Sequence, residues 1–103
     1  RASSFKERRD FVVSCLNNIK GLSCLKPEGA FYVFPSCKNL LNKKTKLKSD
    51  TDFVQKLLEQ ANVAVVQGSA FGLPGYFRIS YATSMENLKK AMERIKSFCE
   101  SLS

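Results

Sequence analysis

The chain has 103 residues, of which 44% are hydrophobic and 25% charged, and its 17 Lys and Arg against 9 Asp and Glu give a net charge of +8. One domain's worth of polypeptide with an ordinary globular composition excludes a wholly disordered, collagen-like or low-complexity chain. The absence of His excludes a Ser-His-Asp or Cys-His relay, a His-ligated metal and a histidine pH switch within the chain, and no apolar run approaches the roughly 20 residues that span a bilayer.

Ser4-Phe5-Lys6-Glu7 has the pattern of a capping box, in which hydroxyl and carboxylate each reach a backbone N–H of the first helical turn. Phe11, Val12, Cys15, Leu16 and Ile19 follow at helical spacing, and Gly21 stands where a helix end calls for positive φ, so the first helix is read over residues 4–20. Pro27-Glu28-Gly29 is turn chemistry between two short strands. The second of these, Ala30–Phe34, is apolar on both faces, which predicts an interior position in a sheet and buried core aromatics. A polar stretch from Lys38 to Asp50 holds Lys43, Lys44, Lys46 and Lys48 and reads as a solvated surface loop. Ser49-Asp50-Thr51-Asp52 opens a second helix with Phe53, Val54, Leu57, Leu58 and Ala61 on one side, ended by Asn62. Val63–Val66 reads as a strand. Gln67 to Gly75 holds three glycines and a proline, a loop with wide backbone freedom. Tyr76–Ala82 alternates as the last strand, with Phe77, Ile79 and Tyr81 on one face and Arg78, Ser80 and Ala82 on the other. Thr83-Ser84-Met85-Glu86 is a second capping box. Met85, Leu88, Met92, Ile95, Cys99 and Leu102 then make an apolar stripe, too short for a coiled-coil seam and better read as a terminal helix packed on the sheet.

The order α, β-β, α, β, β, α predicts an α+β fold, a small mixed sheet of about four strands covered by three helices, over residues 1–103 as one unit. The amino end is charged and lacks the apolar centre of a signal peptide, and it begins at Arg1 rather than Met, as expected of a piece of something longer. Cys15, Cys24, Cys37 and Cys99 show neither a CxxC pair nor zinc spacing; without a secretory signal they read as reduced thiols in a cytoplasmic protein, and no metal site is expected.

Three features could carry chemistry. Arg78 places a permanent charge beside a sheet core, which is costly without a partner; its planar fork suits a carboxylate gripped through two parallel hydrogen bonds. An edge-strand arginine in solvent, or an internal salt bridge, would satisfy the same pattern. Gly68-Ser69-Ala70-Phe71-Gly72-Leu73-Pro74-Gly75 could offer N–H groups to an anion, but it fits neither the Walker pattern nor GxGxxG and reads better as a loop running close to something else. The aromatics of Glu28–Phe34 echo an RNA-binding strand, yet Glu28 and Ala30 break the pattern. No nucleophile is paired with a base, so any active site must be shared with a larger body.

Pro27-Glu28-Gly29-Ala30-Phe31-Tyr32-Val33-Phe34 resembles the P-x-G-A-F-Y segment of class I, fold type I aminotransferases. Val63–Gly72 followed by Gly75–Ala82 resembles their V-x-x-x-P-G-x-x-F-G and R-I-S-x-A segments, and Leu88, Ala91 and Arg94 resemble the closing helix. The likeness runs over essentially the whole chain and is to the carboxyl-terminal small domain of aspartate aminotransferases of a bacterial subgroup.

The resemblance implies a pyridoxal 5′-phosphate enzyme, usually a homodimer, acting on amino-acid and 2-oxo-acid substrates. It places the cofactor's lysine, phosphate cup and ring-nitrogen Asp in a large domain outside this chain, so the chain is expected to bind no cofactor and to be inert alone. By the same resemblance Arg78 binds the substrate α-carboxylate, and Phe31 is an aromatic packed near the substrate. Gln67 departs from the usual Pro, which bears on the rigidity of the loop. Neither a membrane nor a nucleic acid is an expected partner. The alternative from another class is a small basic α+β domain that binds nucleic acid through the net charge and the exposed lysines.

Overall fold

The computed structural model describes residues 4–27 and 31–102; Glu28, Gly29 and Ala30, the centre of the predicted turn, lie outside the described residues. The elements are α1 (Phe5–Asn17), β1 (Tyr32–Val33), α2 (Asp50–Ala61), β2 (Val66–Gln67), β3 (Phe77–Ser80) and α3 (Met85–Ser101), with 3-10 turns at Lys38–Leu40 and Gly68–Phe71.

The capping box of α1 is made: the Glu7 N–H donates to Ser4 Oγ at 3.1 Å and the Ser4 N–H to Glu7 Oε1 at 3.3 Å. The helix stops at Asn17, short of residue 20, and Gly21 takes φ +95° beyond it. The Asn17 side-chain amide then holds both backbone groups of Cys24, each at 2.8 Å. A strand needs those same groups for its ladder, so the strand predicted before Pro27 is reduced to a single bridge between Ser23 and Ser36.

The sheet has three strands in the order β1-β3-β2, and both pairs are antiparallel. The expectation of a mixed sheet of four strands is corrected accordingly. Of the run Ala30–Phe34, predicted to be interior, Tyr32–Val33 form an edge strand, and the central strand is β3. The physical reason lies in its two faces. Val33 is buried in the core and Tyr32, on the opposite face, is 38% exposed; Phe31 shares the face of Val33 but precedes β1 and is 54% exposed against Phe5, so neither aromatic is the core residue expected. An apolar outer face mimicked a strand buried on both sides. The strand predicted at Val63–Val66 is found instead at Val66–Gln67, overlapping it at Val66 alone; Asn62 ends α2 in the left-handed region at φ 57°, and Val63 that follows is buried.

β3 divides its faces as the alternation predicts. Phe77, Ile79 and Tyr81 are buried, while Arg78 is partly buried and Ser80 exposed. Beneath the sheet the core joins Val12 and Leu16 of α1, Phe53 and Leu57 of α2, and Leu88, Ile95 and Phe98 of α3. Phe53 packs on Phe77 at 5.1 Å and edge-on against Phe98 at 5.6 Å between ring centroids. Leu88, Met92, Ile95 and Cys99 are buried, and α3 packs against α1 and α2, which is the reading of a terminal helix rather than a seam. Lys43, Lys44, Lys46 and Lys48 are exposed on a surface loop. Among the described residues no helix is long and apolar enough to cross a membrane.

Candidate functional site

The outer face of β3 carries Arg78. Register sets its surroundings. Val66 on β2 stands directly opposite Arg78, and Tyr32 on β1 stands opposite Ser80, one same-face position further along. Side chains two apart share a face and diagonal neighbours across strands reach each other. The Arg78 Cζ accordingly lies over the Tyr32 ring, 4.3 Å from its centroid. From the β2 side, Phe71 of the 3-10 turn brings a second ring to 4.5 Å from the same atom. Phe34 meets Phe71 edge-on at 5.9 Å.

Among the described residues Arg78 makes no ion pair. No described side-chain nitrogen or oxygen is buried without a partner, so the guanidinium N–H groups that lack one reach solvent. Both rings are themselves open, Tyr32 at 38% and Phe71 at 45%. Aromatic faces attract the guanidinium face and leave the N–H groups in its plane available. The internal salt bridge weighed from the sequence is therefore not formed among the described residues, and the guanidinium fork suits a planar anion.

Phe31 does not join Arg78 in this cluster. Its ring packs on Phe5 at 5.1 Å, and Phe5 in turn meets Tyr81 at 6.3 Å. Arg8 covers Phe5 at 4.6 Å and donates from Nε to the Tyr81 carbonyl at 3.0 Å. Phe31 thus belongs to a neighbouring exposed aromatic group on the α1 side.

The glycine loop holds an anion, and that anion belongs to the chain. Asp50 is 3% exposed; its carboxylate accepts from the Ser69 N–H at 2.8 Å and from the Gly75 N–H at 3.1 Å. Burial pushes this carboxyl up, but the hydrogen bonds from Ser69 and Gly75 outweigh it and hold the group below its ordinary value. The loop closes tightly on itself. The Gly68 N–H donates to the Tyr76 carbonyl at 2.7 Å, and a Cβ on Gly68 would stand 2.2 Å from the Leu73 carbonyl oxygen. Gln67 has φ −63°, the angle at which proline is locked, so glutamine at this position leaves the backbone where proline would put it. Two N–H groups that a phosphate would need are committed to Asp50, and the loop is the close-running one rather than a phosphate cradle.

Three residues of this arrangement escape sequence reasoning. Asp50 reads only as a helix-opening residue, because its partners are 19 and 25 residues away. Tyr32 and Phe71 lie inside segments singled out for other reasons, and only strand register shows that they meet at Arg78. Among the described residues no cluster of three or more His, Cys, Asp or Glu is placed to hold a metal ion.

The family model for aminotransferase class I and II matches residues 1–95. An aspartate aminotransferase of Rhizobium meliloti (strain 1021) is 57% identical over the whole of this chain, which covers 26% of that protein. A probable aspartate/prephenate aminotransferase of Rhizobium leguminosarum bv. phaseoli is 58% identical over 92% of the chain and 25% of its own length. Among solved structures, that of the aspartate aminotransferase from Rhizobium meliloti superimposes with a TM-score of 0.92 at 57% identity, over 96% of this chain and 26% of that one. An alanine aminotransferase from Pyrococcus furiosus gives 0.86 at 39% identity, over 94% and 24%. The chain therefore spans about a quarter of the length of the relatives it matches. These matches give no support to the alternative of a nucleic-acid-binding domain.

Proposed function

The chain belongs to the class I and II aminotransferases, and from that premise we propose that it is the carboxyl-terminal small domain of a pyridoxal-phosphate-dependent aspartate aminotransferase, in which Arg78 binds the α-carboxylate of the amino-acid and 2-oxo-acid substrates. The enzyme would be cytoplasmic and a homodimer. The large domain would come from the remaining length of a longer polypeptide.

One observation supports this reading most directly: the Arg78 guanidinium lies against two rings and makes no ion pair among the described residues. A substrate carboxylate supplies the missing partner through two parallel, charge-assisted hydrogen bonds. The glycine loop does not fit the cofactor's phosphate, because its donors at Ser69 and Gly75 already serve Asp50. In this reading the large domain holds the cofactor, and this chain's contribution is to orientation. Pyridoxal 5′-phosphate would supply the electron sink of the reaction when bound. A carboxylate fixed by Arg78 loses its rotational freedom before reaction, which lowers the barrier as a proximity effect and not by proton transfer. Because Arg78 stands on the small domain, a ligand bridging to the large one would draw the two together.

The test is Arg78→Leu in the full-length enzyme. Removing two charge-assisted hydrogen bonds is expected to lower kcat/KM for L-aspartate and for its 2-oxo-acid partner by roughly 100-fold or more. The absorbance of the bound cofactor should not change. Unaltered kinetics would remove Arg78 from substrate binding and the proposal with it.

A further inference from the structure

A guanidinium on an arginine stem can occupy many rotamers, and fixing one costs side-chain entropy. At Arg78 two rings restrict it, one from the flanking strand β1 and one from the 3-10 turn that follows β2. Neither ring serves the core, since both are more than a third exposed. Both rings instead lie on the same outer face as Arg78, within reach of its guanidinium. Their placement is not loose. Tyr32 is fixed by its register with Ser80. Phe71 is carried by the turn that Asp50 pins at Ser69 and Gly75, and it is backed by Phe34.

We propose that Tyr32 and Phe71 are positioning residues, whose rings clamp the faces of the Arg78 guanidinium so that its N–H edge meets the substrate carboxylate already oriented. The inference rests on Arg78 as the carboxylate anchor and adds the pair that aims it. Contact with a ring face leaves the in-plane donors free, so the clamp does not compete with the ligand. Phe31, the aromatic implied by family resemblance, is not part of it, because its ring lies on Phe5.

The experiment uses the full-length enzyme with L-aspartate and its 2-oxo-acid partner. Tyr32→Leu and Phe71→Leu, which keep apolar bulk but remove the π face, are each expected to raise KM for both substrates by roughly 2- to 30-fold. The loss should fall mainly in KM. Tyr32→Phe and Phe71→Tyr, which keep a ring, should restore KM to within about twofold of the parent. In an Arg78→Leu background, Tyr32→Leu should change nothing further, because the ring then has no guanidinium to hold. Equal KM values for the parent and the two leucine variants would overturn the clamp, and so would ring variants no better than leucine. Additivity with Arg78→Leu would overturn it as well. If Arg78→Leu is itself without effect, the carboxylate-anchor reading fails. If Arg78→Leu is severe and the leucine variants are silent, only the clamp fails.

Discussion

Asp50 accepts a 2.8 Å hydrogen bond from the backbone N–H of Ser69, 19 residues further along the chain. The same carboxylate takes the buried Gly75 N–H, so the first residue of α2 holds both ends of the turn that carries Phe71. Its charge also sits at a helix N-terminus, where a negative group is favoured. Asp50→Ala is expected to destabilise the chain by about 3 kcal/mol, the order expected when charge-assisted hydrogen bonds are lost and a buried donor is left unpaired. A urea midpoint lowered at unchanged slope would measure it; an unshifted midpoint would show that the loop does not depend on this carboxylate. The pH dependence has a definite sign. Asp50 is held below its ordinary value of 3.8, so the folded chain binds this proton less readily than the unfolded chain. Its contribution is complete above that value and is lost as pH falls below it. The parent should therefore lose stability more steeply in acid than Asp50→Ala does, and parallel profiles would contradict the role given to Asp50.

Gly68 and Gly72 differ in why they are glycine. At Gly68 a Cβ would lie 2.2 Å from the Leu73 carbonyl oxygen and 2.6 Å from that of Tyr76, both backbone atoms that cannot swing aside. At Gly72 nothing stands within 4 Å, and the obstacle is φ +76°. Alanine at Gly72 should cost about 1–2 kcal/mol, the ordinary penalty of the left-handed region. Alanine at Gly68 should cost more and displace the turn at Phe71, because overpacking against fixed backbone forces a shift. Denaturation midpoints of the two variants in the order Gly72→Ala above Gly68→Ala would agree with this; the reverse order would place the loop's constraint at the wrong glycine.

What the sequence made legible follows from how far each signal reaches. Of the two helix starts predicted as capping boxes, that of α1 is made by Ser4 and Glu7, whereas α3 starts one residue later than predicted: Ser84 rather than Thr83 is the cap, its hydroxyl receives the Asn87 N–H, and Glu86 pairs with Lys90 instead. A cap is decided within four residues, so it can be read locally. The alternation of β3 was equally plain, because the buried set Phe77, Ile79 and Tyr81 is a property of one strand. The β1 segment misled, since its aromatics cannot tell a second core face from an exposed one. The strand before Pro27 was lost to Asn17, whose amide reaches Cys24 through space. At the site, Arg78 was found from its own oddity, a lone charge on a strand. Tyr32, Phe71 and Asp50 could not be found that way, because each matters through a partner that only the pairing of strands and the closure of the loop bring near.

The cysteines give the last expectation. Cys37 and Cys99 are 0% and 3% exposed, and burial pushes both thiols up to about 12; the negative charge of Asp50 adds to the effect at Cys37. Burial alone raises Cys24 to about 11, and it raises Cys15, which is only partly buried, in the same direction. The thiolate is the reactive form. At pH 8 a soluble alkylating reagent should therefore modify Cys15 first in the folded chain, and Cys24, Cys37 and Cys99 only as the chain opens. Peptide mass mapping over a time course reads this order. The folded state keeps these protons more tightly than the unfolded chain, whose thiols titrate near 9.0. Their share of stability is accordingly whole below that pH and lost as pH rises toward 12. A melting temperature that falls between pH 9 and pH 11, with the fall reduced in a Cys37→Ala variant, is the expected result. Rapid labelling of Cys37 or Cys99 under folding conditions would mean that the core around these thiols is open to solvent.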